Sequence, residues 1–370
     1  MIKLLTVIGA RPQIIKAAAI SRAIKEHFSE TIVERILHTG QHYDANMSQV
    51  FFDELGIPAP DYNLGVGSGS HGAQTAKMIE GIETVLGSER FDGIILYGDT
   101  NSTIAGAVAA AKLHVPVFHV EAGLRSYNMT MPEEQNRIVC DHLSSILFAP
   151  TQTAVDNLKA EGLDSSRASF QNGRRRLIVN SGDVMYDNAL YFSKLAEEKS
   201  RILETCGVQP RGYILATVHR DFNTDAPDRI GSIFKALSTI AEENDIPIVL
   251  PLHPRTRKYL PDNLSERIII IPPASFFDIL TLEKNAGVVM TDSGGVQKEA
   301  FFFSKPCVIL RPETEWVEIV DHHAGILADA DFDRIVNAYK VLSGLEVAFP
   351  PLFGDGNAAV TIVKKIVEYL

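Results

Sequence analysis

Two acidic residues close short apolar runs, Asp99 after Gly93–Tyr97 and Glu121 after Val115–Val120. A third, Glu133, follows in Met131-Pro132-Glu133-Glu134-Gln135-Asn136-Arg137. An acid that ends a strongly apolar strand is poorly placed for packing and well placed to meet a ligand. Three of them on successive loops supply what proton transfer at carbon requires, a base on one face and an acid on the other. Glu133 and Arg137 are spaced i, i+4, so a helix would put them on one face, as a surface ion pair or as part of that set. Asp99 has a competing use as N-cap of the helix that begins near Thr103. Carboxylates also bind magnesium, but these show no Asp-x-Asp clustering, so no metal site is expected.

The other chemistry-bearing stretch is Asp292-Ser293-Gly294-Gly295-Val296-Gln297-Lys298-Glu299. It lies between an apolar run, Ala286–Thr291, and the start of a helical pattern. A strand, a glycine pair and a helix N-terminus make an anion site, because backbone N–H groups can approach a phosphate and the helix dipole favours its charge. Ser293, Gly294 and Gly295 are the candidate cradle, and Glu299 a candidate acceptor for ribose hydroxyls. The alternative is a tight turn with no ligand.

Basic and polar residues at other strand ends fit the same ligand. Arg11 and Lys16 flank the start of the first helix, in Gly9-Ala10-Arg11-Pro12-Gln13-Ile14-Ile15-Lys16. That loop is neither the Gly-x-Gly-x-x-Gly fingerprint nor a Walker loop, which argues against a nicotinamide dehydrogenase and an ATPase. Gln41 and His42 follow the second apolar run, as binding residues or as a hydrogen-bonded turn. His219 and Arg220 follow Tyr213–Thr217, where a histidine could donate to phosphate or shuttle a proton. His253 follows Ile246–Leu250 between two prolines, so a rigid turn competes with binding. Arg174-Arg175-Arg176 reads as a solvated loop.

The elements that must position these residues alternate regularly. Leu4–Ile8, Glu34–Leu37, Gly93–Tyr97, Val115–Val120, Ile146–Ala149 and Leu177–Val179 read as strands. Ile14–His27, Gly72–Leu86, Thr103–Leu113 and Ala154–Glu161 carry helical spacing between them. A second series begins at Tyr213–Thr217 and continues through Ile268–Ile271, Gly287–Met290 and Cys307–Leu310, and Ala358–Leu370 closes the chain as a helix. Such alternation predicts an α/β protein with two Rossmann-like doubly wound domains. Ligands would then bind at strand C-terminal ends, in a cleft that the two domains face.

A chain of 370 residues is too long for one ordinary core. Its net charge of −11 argues against nucleic-acid or membrane-surface partners. No apolar run approaches the roughly 20 residues that span a bilayer. Three widely spaced cysteines suggest a reducing, cytoplasmic setting without a zinc site.

Taken in order, several motifs together resemble the non-hydrolysing UDP-N-acetylglucosamine 2-epimerases. They are Gly9-Ala10-Arg11-Pro12-Gln13, Thr39-Gly40-Gln41-His42, Gly98-Asp99-Thr100, His119-Val120-Glu121-Ala122-Gly123-Leu124-Arg125, Pro132-Glu133-Glu134, Asn136-Arg137, His219-Arg220 and Asp292-Ser293-Gly294-Gly295. The resemblance implies a glycosyltransferase-B arrangement. Residues 1–182 would form the domain carrying the acid/base residues, 183–354 the UDP-binding domain, and 355–370 a helix returning to the first. It also implies a cytoplasmic homodimer that uses no cofactor and takes a UDP-2-acetamido sugar as substrate. UDP leaves across C1–C2 to give a 2-acetamidoglycal, then adds back while the proton returns to the opposite face of C2. Carried over, Asp99, Glu121 and Glu133 are the acid/base set, and His219 assists the departing diphosphate. Arg11, Lys16, Ser293, Gly294, Gly295 and Glu299 hold the nucleotide. Arg137 sits near the pyrophosphate or orients Glu133, and Gln41, His42, Arg220 and His253 complete the binding set.

Within the family, Glu315-Trp316-Val317-Glu318 stands where plain UDP-N-acetylglucosamine epimerases have Glu-Arg-Pro-Glu. With Ala45-Asn46-Met47-Ser48, Arg125-Ser126-Tyr127-Asn128-Met129 and Gln297-Lys298-Glu299-Ala300-Phe301-Phe302-Phe303, this resembles the subgroup acting on UDP-2,3-diacetamido-2,3-dideoxyglucuronate, which supplies a manno sugar for bacterial surface polysaccharide such as lipopolysaccharide O-antigen. That subgroup usually has Arg where this chain has Thr130. The alternatives are a UDP-N-acetylglucosamine epimerase, a retaining glycosyltransferase of the same architecture and a nucleotide-sugar sensor without chemistry.

Overall fold

The computed structural model describes residues 1–41, 56–164, 173–252, 257, 259–261 and 264–370. The chain divides into two compact units, Met1–Asn188 with Leu352–Leu370, and Ala189–Pro351.

Unit 1 is built on a seven-stranded parallel sheet. Its strands are β1 (Ile2–Ile8), β2 (Ile32–His38), β3 (Tyr62–Asn63), β4 (Gly93–Tyr97), β5 (Val117–Val120), β6 (Ile146–Ala149) and β7 (Leu177–Asn180). They lie in the order β3-β2-β1-β4-β5-β6-β7. The central strands are mostly apolar and lack strict alternation because helices cover both faces, with Thr6 of β1 and His119 of β5 as buried polar exceptions. Crossovers are made by α1 (Arg11–His27), α2 (His71–Ser88), α3 (Asn101–Lys112), α4 (Pro132–Leu143) and α5 (Gln152–Ala160), followed by α6 (Val184–Lys199). Pro12 opens α1, where its missing N–H costs nothing. One face of the core gathers Leu5, Val7, Ile94, Leu96, Met78 and Ile82.

Unit 2 repeats the plan. Its strands are β8 (Ile214–Thr217), β9 (Ile248–Pro251), β10 (Ile268–Ile271), β11 (Val288–Thr291), β12 (Cys307–Ile309) and β13 (Gly325–Leu327). Their order is β10-β9-β8-β11-β12-β13, again all parallel. Its helices are α7 (Ile202–Cys206), α8 (Asp221–Thr224), α9 (Pro227–Glu243), α10 (Phe276–Asn285), α11 (Gly294–Phe302), α12 (Val317–Asp321) and α13 (Phe332–Gly344). Its core packs Ile230, Phe234 and Leu237 of α9 and Ile335 and Tyr339 of α13 on the sheet.

The last helix, α14 (Ala358–Tyr369), belongs to unit 1 and packs on α1. Asp187 holds its first turn, accepting from Ala358 N at 3.1 Å and Ala359 N at 2.8 Å. The expected solvated arginine loop is corrected in part. Arg174 donates to the Leu370 carbonyl at 2.7 Å, and Arg176 to the Ser144 and His142 carbonyls at 3.0 and 2.6 Å. These guanidiniums satisfy carbonyls that chain and helix ends leave unpaired.

Both sheets reverse direction of growth at their centre, between β1 and β4 and between β8 and β11. Those two switch points are where open α/β sheets leave a crevice beyond the strand C-termini.

Candidate functional site

At the unit 1 switch point the chain leaves β1 through Gly9. A Cβ there would lie 2.1 Å from Ser102 Oγ and 2.2 Å from Thr39 Oγ1, so only glycine fits. Gln13 then locks the loop. Its Oε1 accepts from Gly9 N at 2.9 Å, and its Nε2 donates to the Tyr97 carbonyl at 2.9 Å. The loops after β1 and β4 are thereby fixed to each other.

Into this crevice come Lys16, Asp99, Glu121 and Arg137. Lys16 Nζ lies 2.6 Å from Glu121 Oε1, with both side chains nearly buried. The pair sits over Gly98, whose φ of +62° no larger residue adopts freely. A Cβ on Gly98 would be 3.2 Å from Lys16 Nζ and 3.6 Å from Glu121 Oε1. Glu121 itself has φ +72°, the left-handed region that costs a non-glycine roughly 1–2 kcal/mol. The turn is held by two donors, Glu121 N and Ala122 N, on the Phe148 carbonyl at 3.1 and 3.0 Å. The Phe148 carbonyl thus fixes the strained turn that carries Glu121.

Asp99 is not the N-cap. Thr100 occupies that position, its N–H donating to Thr103 Oγ1 at 3.2 Å. Asp99 is left to accept from Arg137 Nη2. Glu133 and Arg137 do share one helix, α4, but the surface ion pair between them is corrected. Arg137 Nη1 donates to Glu134 Oε2 at 2.5 Å, and Glu134 Oε1 accepts from Ser126 N at 3.0 Å and Tyr127 N at 2.9 Å. Glu133, one residue earlier, is exposed. Burial opposes the Arg137 charge, but Asp99 and Glu134 outweigh it and raise the guanidinium above its ordinary range.

Arg11 is exposed at the first position of α1. Gln41 Oε1 accepts from Ser102 N at 3.1 Å and Ser102 Oγ at 2.8 Å, so its amide is anchored to the start of α3. His42, residues 45–48 and His253 lie outside the described residues.

At the unit 2 switch point Ser293 caps α11, accepting from Val296 N at 3.5 Å. Gly294 and Gly295 follow as its first two residues. A Cβ on Gly294 would meet Glu315 Oε1 at 3.0 Å and Trp316 Nε1 at 3.5 Å, whereas Gly295 has nothing nearer than Ser293 Oγ at 3.8 Å. Gly295 therefore presents open backbone to solvent, as an anion cradle requires.

The first residue of this motif has a different role from the rest. Asp292 is fully buried and accepts from Arg220 N at 3.0 Å, Asn223 Nδ2 at 3.1 Å and both His219 N and His219 Nδ1, the last at 3.2 Å. Burial pushes its carboxyl upward, but His219, Arg220 and Asn223 prevail and hold it below the usual range. Asp292 so orients His219, whose ring stays half-exposed. Arg220 is exposed beside it. Glu299 is half-buried on α11, and burial together with Glu299 pushes the buried Glu283 of α10 well above the ordinary carboxylate range.

Sequence reasoning missed Gln13, Glu134, Asp141, Glu283 and the anchoring role of Asp292. A buried polar residue inside an apolar pattern was the available signal for Gln13 and Glu283. Among the described residues no group of three His, Cys, Asp or Glu side chains is arranged to hold a metal ion. No described helix is long and apolar enough to cross a membrane.

Two doubly wound units, one with acids and cations at its switch point and the other with a glycine-opened helix, define the α/β class that handles ligands at strand C-termini. Within that class the chain belongs to the UDP-N-acetylglucosamine 2-epimerase family, whose model matches residues 23–367. Members of this family are isomerases acting on UDP-sugars. The chain is 49% identical over 370 residues to a UDP-2,3-diacetamido-2,3-dideoxy-D-glucuronate 2-epimerase of Pseudomonas aeruginosa, covering 100% of this chain and 99% of that one. It is 47% identical to a UDP-N-acetylglucosamine 2-epimerase homolog of Methanococcus maripaludis, covering 98% of each. The Methanocaldococcus jannaschii UDP-GlcNAc 2-epimerase, solved in complex with UDP-GlcNAc and UDP, matches with TM-score 0.84 and 39% identity over 99% of this chain and 100% of that one. A ugt transferase of Siraitia grosvenorii, solved in complex with UDP, with TM-score 0.65 at 12% identity over 100% of this chain and 99% of that one, shares the fold alone.

Proposed function

We propose that the protein inverts C2 of UDP-2,3-diacetamido-2,3-dideoxy-D-glucuronate, giving the manno epimer. The observation that carries this reading is the 49% identity, end to end, to an enzyme named for that reaction. Among Asp99, Glu121 and Glu133, one carboxylate takes the C2 proton as the C1–O bond breaks. UDP leaves with the bonding pair and C1=C2 forms. Another then returns a proton to the opposite face of C2 while a UDP oxygen rebinds C1.

His219, oriented by Asp292, donates to the departing diphosphate, and the Ser293–Gly295 N–H groups stabilise the charge that grows on it. Glu299 accepts from ribose hydroxyls, and Arg11 and Arg220 meet the phosphates. Gln41, His42 and His253 complete the binding set. The protein acts as a cytoplasmic homodimer and feeds surface-polysaccharide synthesis, including O-antigen.

Incubation with the UDP-sugar in D₂O, read by NMR at C2, tests the reading. Deuterium at C2 with an inverted centre and little free sugar is expected. Retained C2–H overturns the epimerase mechanism. Faster turnover of UDP-N-acetylglucosamine than of the diacetamido uronate overturns the choice of sugar.

A further inference from the structure

His119 is the third residue of β5, in the unit 1 sheet, and is fully buried. Both ring nitrogens face acceptors. Nδ1 is 2.7 Å from Asp141 Oδ1, and Nε2 is 2.7 Å from the Gly98 carbonyl oxygen. A carbonyl oxygen only accepts, so Nε2 carries a proton. Asp141 is acceptor-only as well, since its Oδ2 takes Gly123 N at 3.2 Å and Arg125 Nη2 at 2.8 Å. Nδ1 therefore carries a proton too, and the ring is an imidazolium held between two acceptors.

Each end of this arrangement reaches an element that bears an acid. Gly98 immediately precedes Asp99. Gly123 lies two residues beyond Glu121, in the turn that aims it. Asp141 is on α4, the helix that carries Glu133 near its start and Arg137, the partner of Asp99. We propose that the His119–Asp141 pair is the positioning device of the reaction, keying the Asp99 loop, the Glu121 loop and helix α4 into one register. This rests on the assignment of the three acids to proton transfer.

His119 acts through Gly98 and Asp141, not on the sugar. A neutral core histidine would leave one of the two acceptors unmet, so simple packing does not account for the geometry. The charged and titratable groups around the ring divide: the Asp141 carboxylate favours its proton, and the cations Arg125 and Arg176 behind Asp141 oppose it. Burial disfavours the charge, but Cys140 and Asp141 of α4 outweigh it, so His119 stays protonated well above its ordinary range. Behind Asp141 stand Arg125 and Arg176, and Glu161 at the end of α5 pairs with Arg125 at 2.6 Å.

Histidine-selective ¹⁵N NMR of the intact protein gives the direct test. Two protonated ring nitrogens are expected for His119, assigned by their loss in His119→Asn and persisting from pH 6 to about 8.5. A single protonated nitrogen at neutral pH in the wild-type protein overturns the proposal. Kinetics give the second arm. His119→Asn, which cannot span both acceptors, is expected to lower kcat about 100-fold with KM and UDP affinity changed less than about threefold. Asp141→Asn can donate its amide to Nδ1 while Nε2 still holds Gly98, so it should retain kcat within about tenfold of wild type. His119→Asn turning over at the wild-type rate, or Asp141→Asn losing as much as His119→Asn, overturns the positioning role. Asp99→Asn is run beside them. If both it and Glu121→Gln exchange C2–H normally, only one acid is left, the acid assignment fails instead, and the two failures are told apart.

Discussion

Lys16 and Glu121, 105 positions apart in sequence, form a nearly buried ion pair of 2.6 Å directly above Gly98. Removing one member of a buried pair costs more than the pair contributes, because the other is left as an unmatched charge. Glu121→Gln is therefore expected to abolish C2 exchange, to keep UDP binding and to lower Tm. Lys16→Met in the same chain should recover part of that stability, with a coupling of about 1–3 kcal/mol in a double-mutant cycle read by denaturant unfolding. Additive losses would show that the two side chains are not coupled.

The neighbouring glutamates of α4 separate by role. Glu134 is buried among Arg137 and two backbone donors, whereas Glu133 is exposed. Glu133→Gln should leave stability within about 0.5 kcal/mol, as surface changes do, while lowering kcat. Glu134→Gln should destabilise by about 2–4 kcal/mol through loss of a buried pair. Urea melts of the two variants, set beside their exchange rates, check the division.

The glycine pair of α11 divides similarly. Gly295→Ala has room in the folded protein, with no atom nearer than 3.8 Å to the new Cβ. Tm should hold while UDP affinity, measured by calorimetry, falls at least about tenfold because the methyl blocks phosphate approach. Gly294→Ala meets Glu315 and Trp316 and should shift Tm as well.

Burial, opposed by the Ala359 and Ala358 N–H groups, pushes the Asp187 carboxyl up to about 6. The folded state then holds more protons than the unfolded chain between about pH 4 and pH 6. Stability from this group is full below that window and lost as pH rises through it, by on the order of 2 kcal/mol. Subtracting the Asp187→Asn profile from that of wild type should expose this descending limb. A difference that is flat from pH 4 to 7 would show that the two N–H donors cancel the burial.

The α/β alternation and the strand-end loops were legible because buried parallel strands are written as unbroken apolar runs, as in Ile94–Leu96 and Val288–Met290. The edge strands Tyr62–Asn63 and Gly325–Leu327 were not, being too short to leave a pattern. Asp99, Glu121 and the Ser293–Gly295 turn stood out through their positions at strand ends. Partner choice did not. Helical spacing offers Arg137 both Glu133 and Glu134 as neighbours, and only the Ser126 and Tyr127 N–H groups, folded back on Glu134, decide between them. Likewise, nothing local tells that Asp292 spends its oxygens on the chain that carries His219, since those donors lie about 70 residues upstream.

That expenditure by Asp292 bears on how family members are told apart. With its lone pairs taken by His219, Arg220 and Asn223, the carboxylate has no share left for a sugar. An aspartate there is a requirement of this chain's own architecture. Sugar preference has to be written in side chains that keep donors or acceptors open to a ligand, and Asp292 is not one of them.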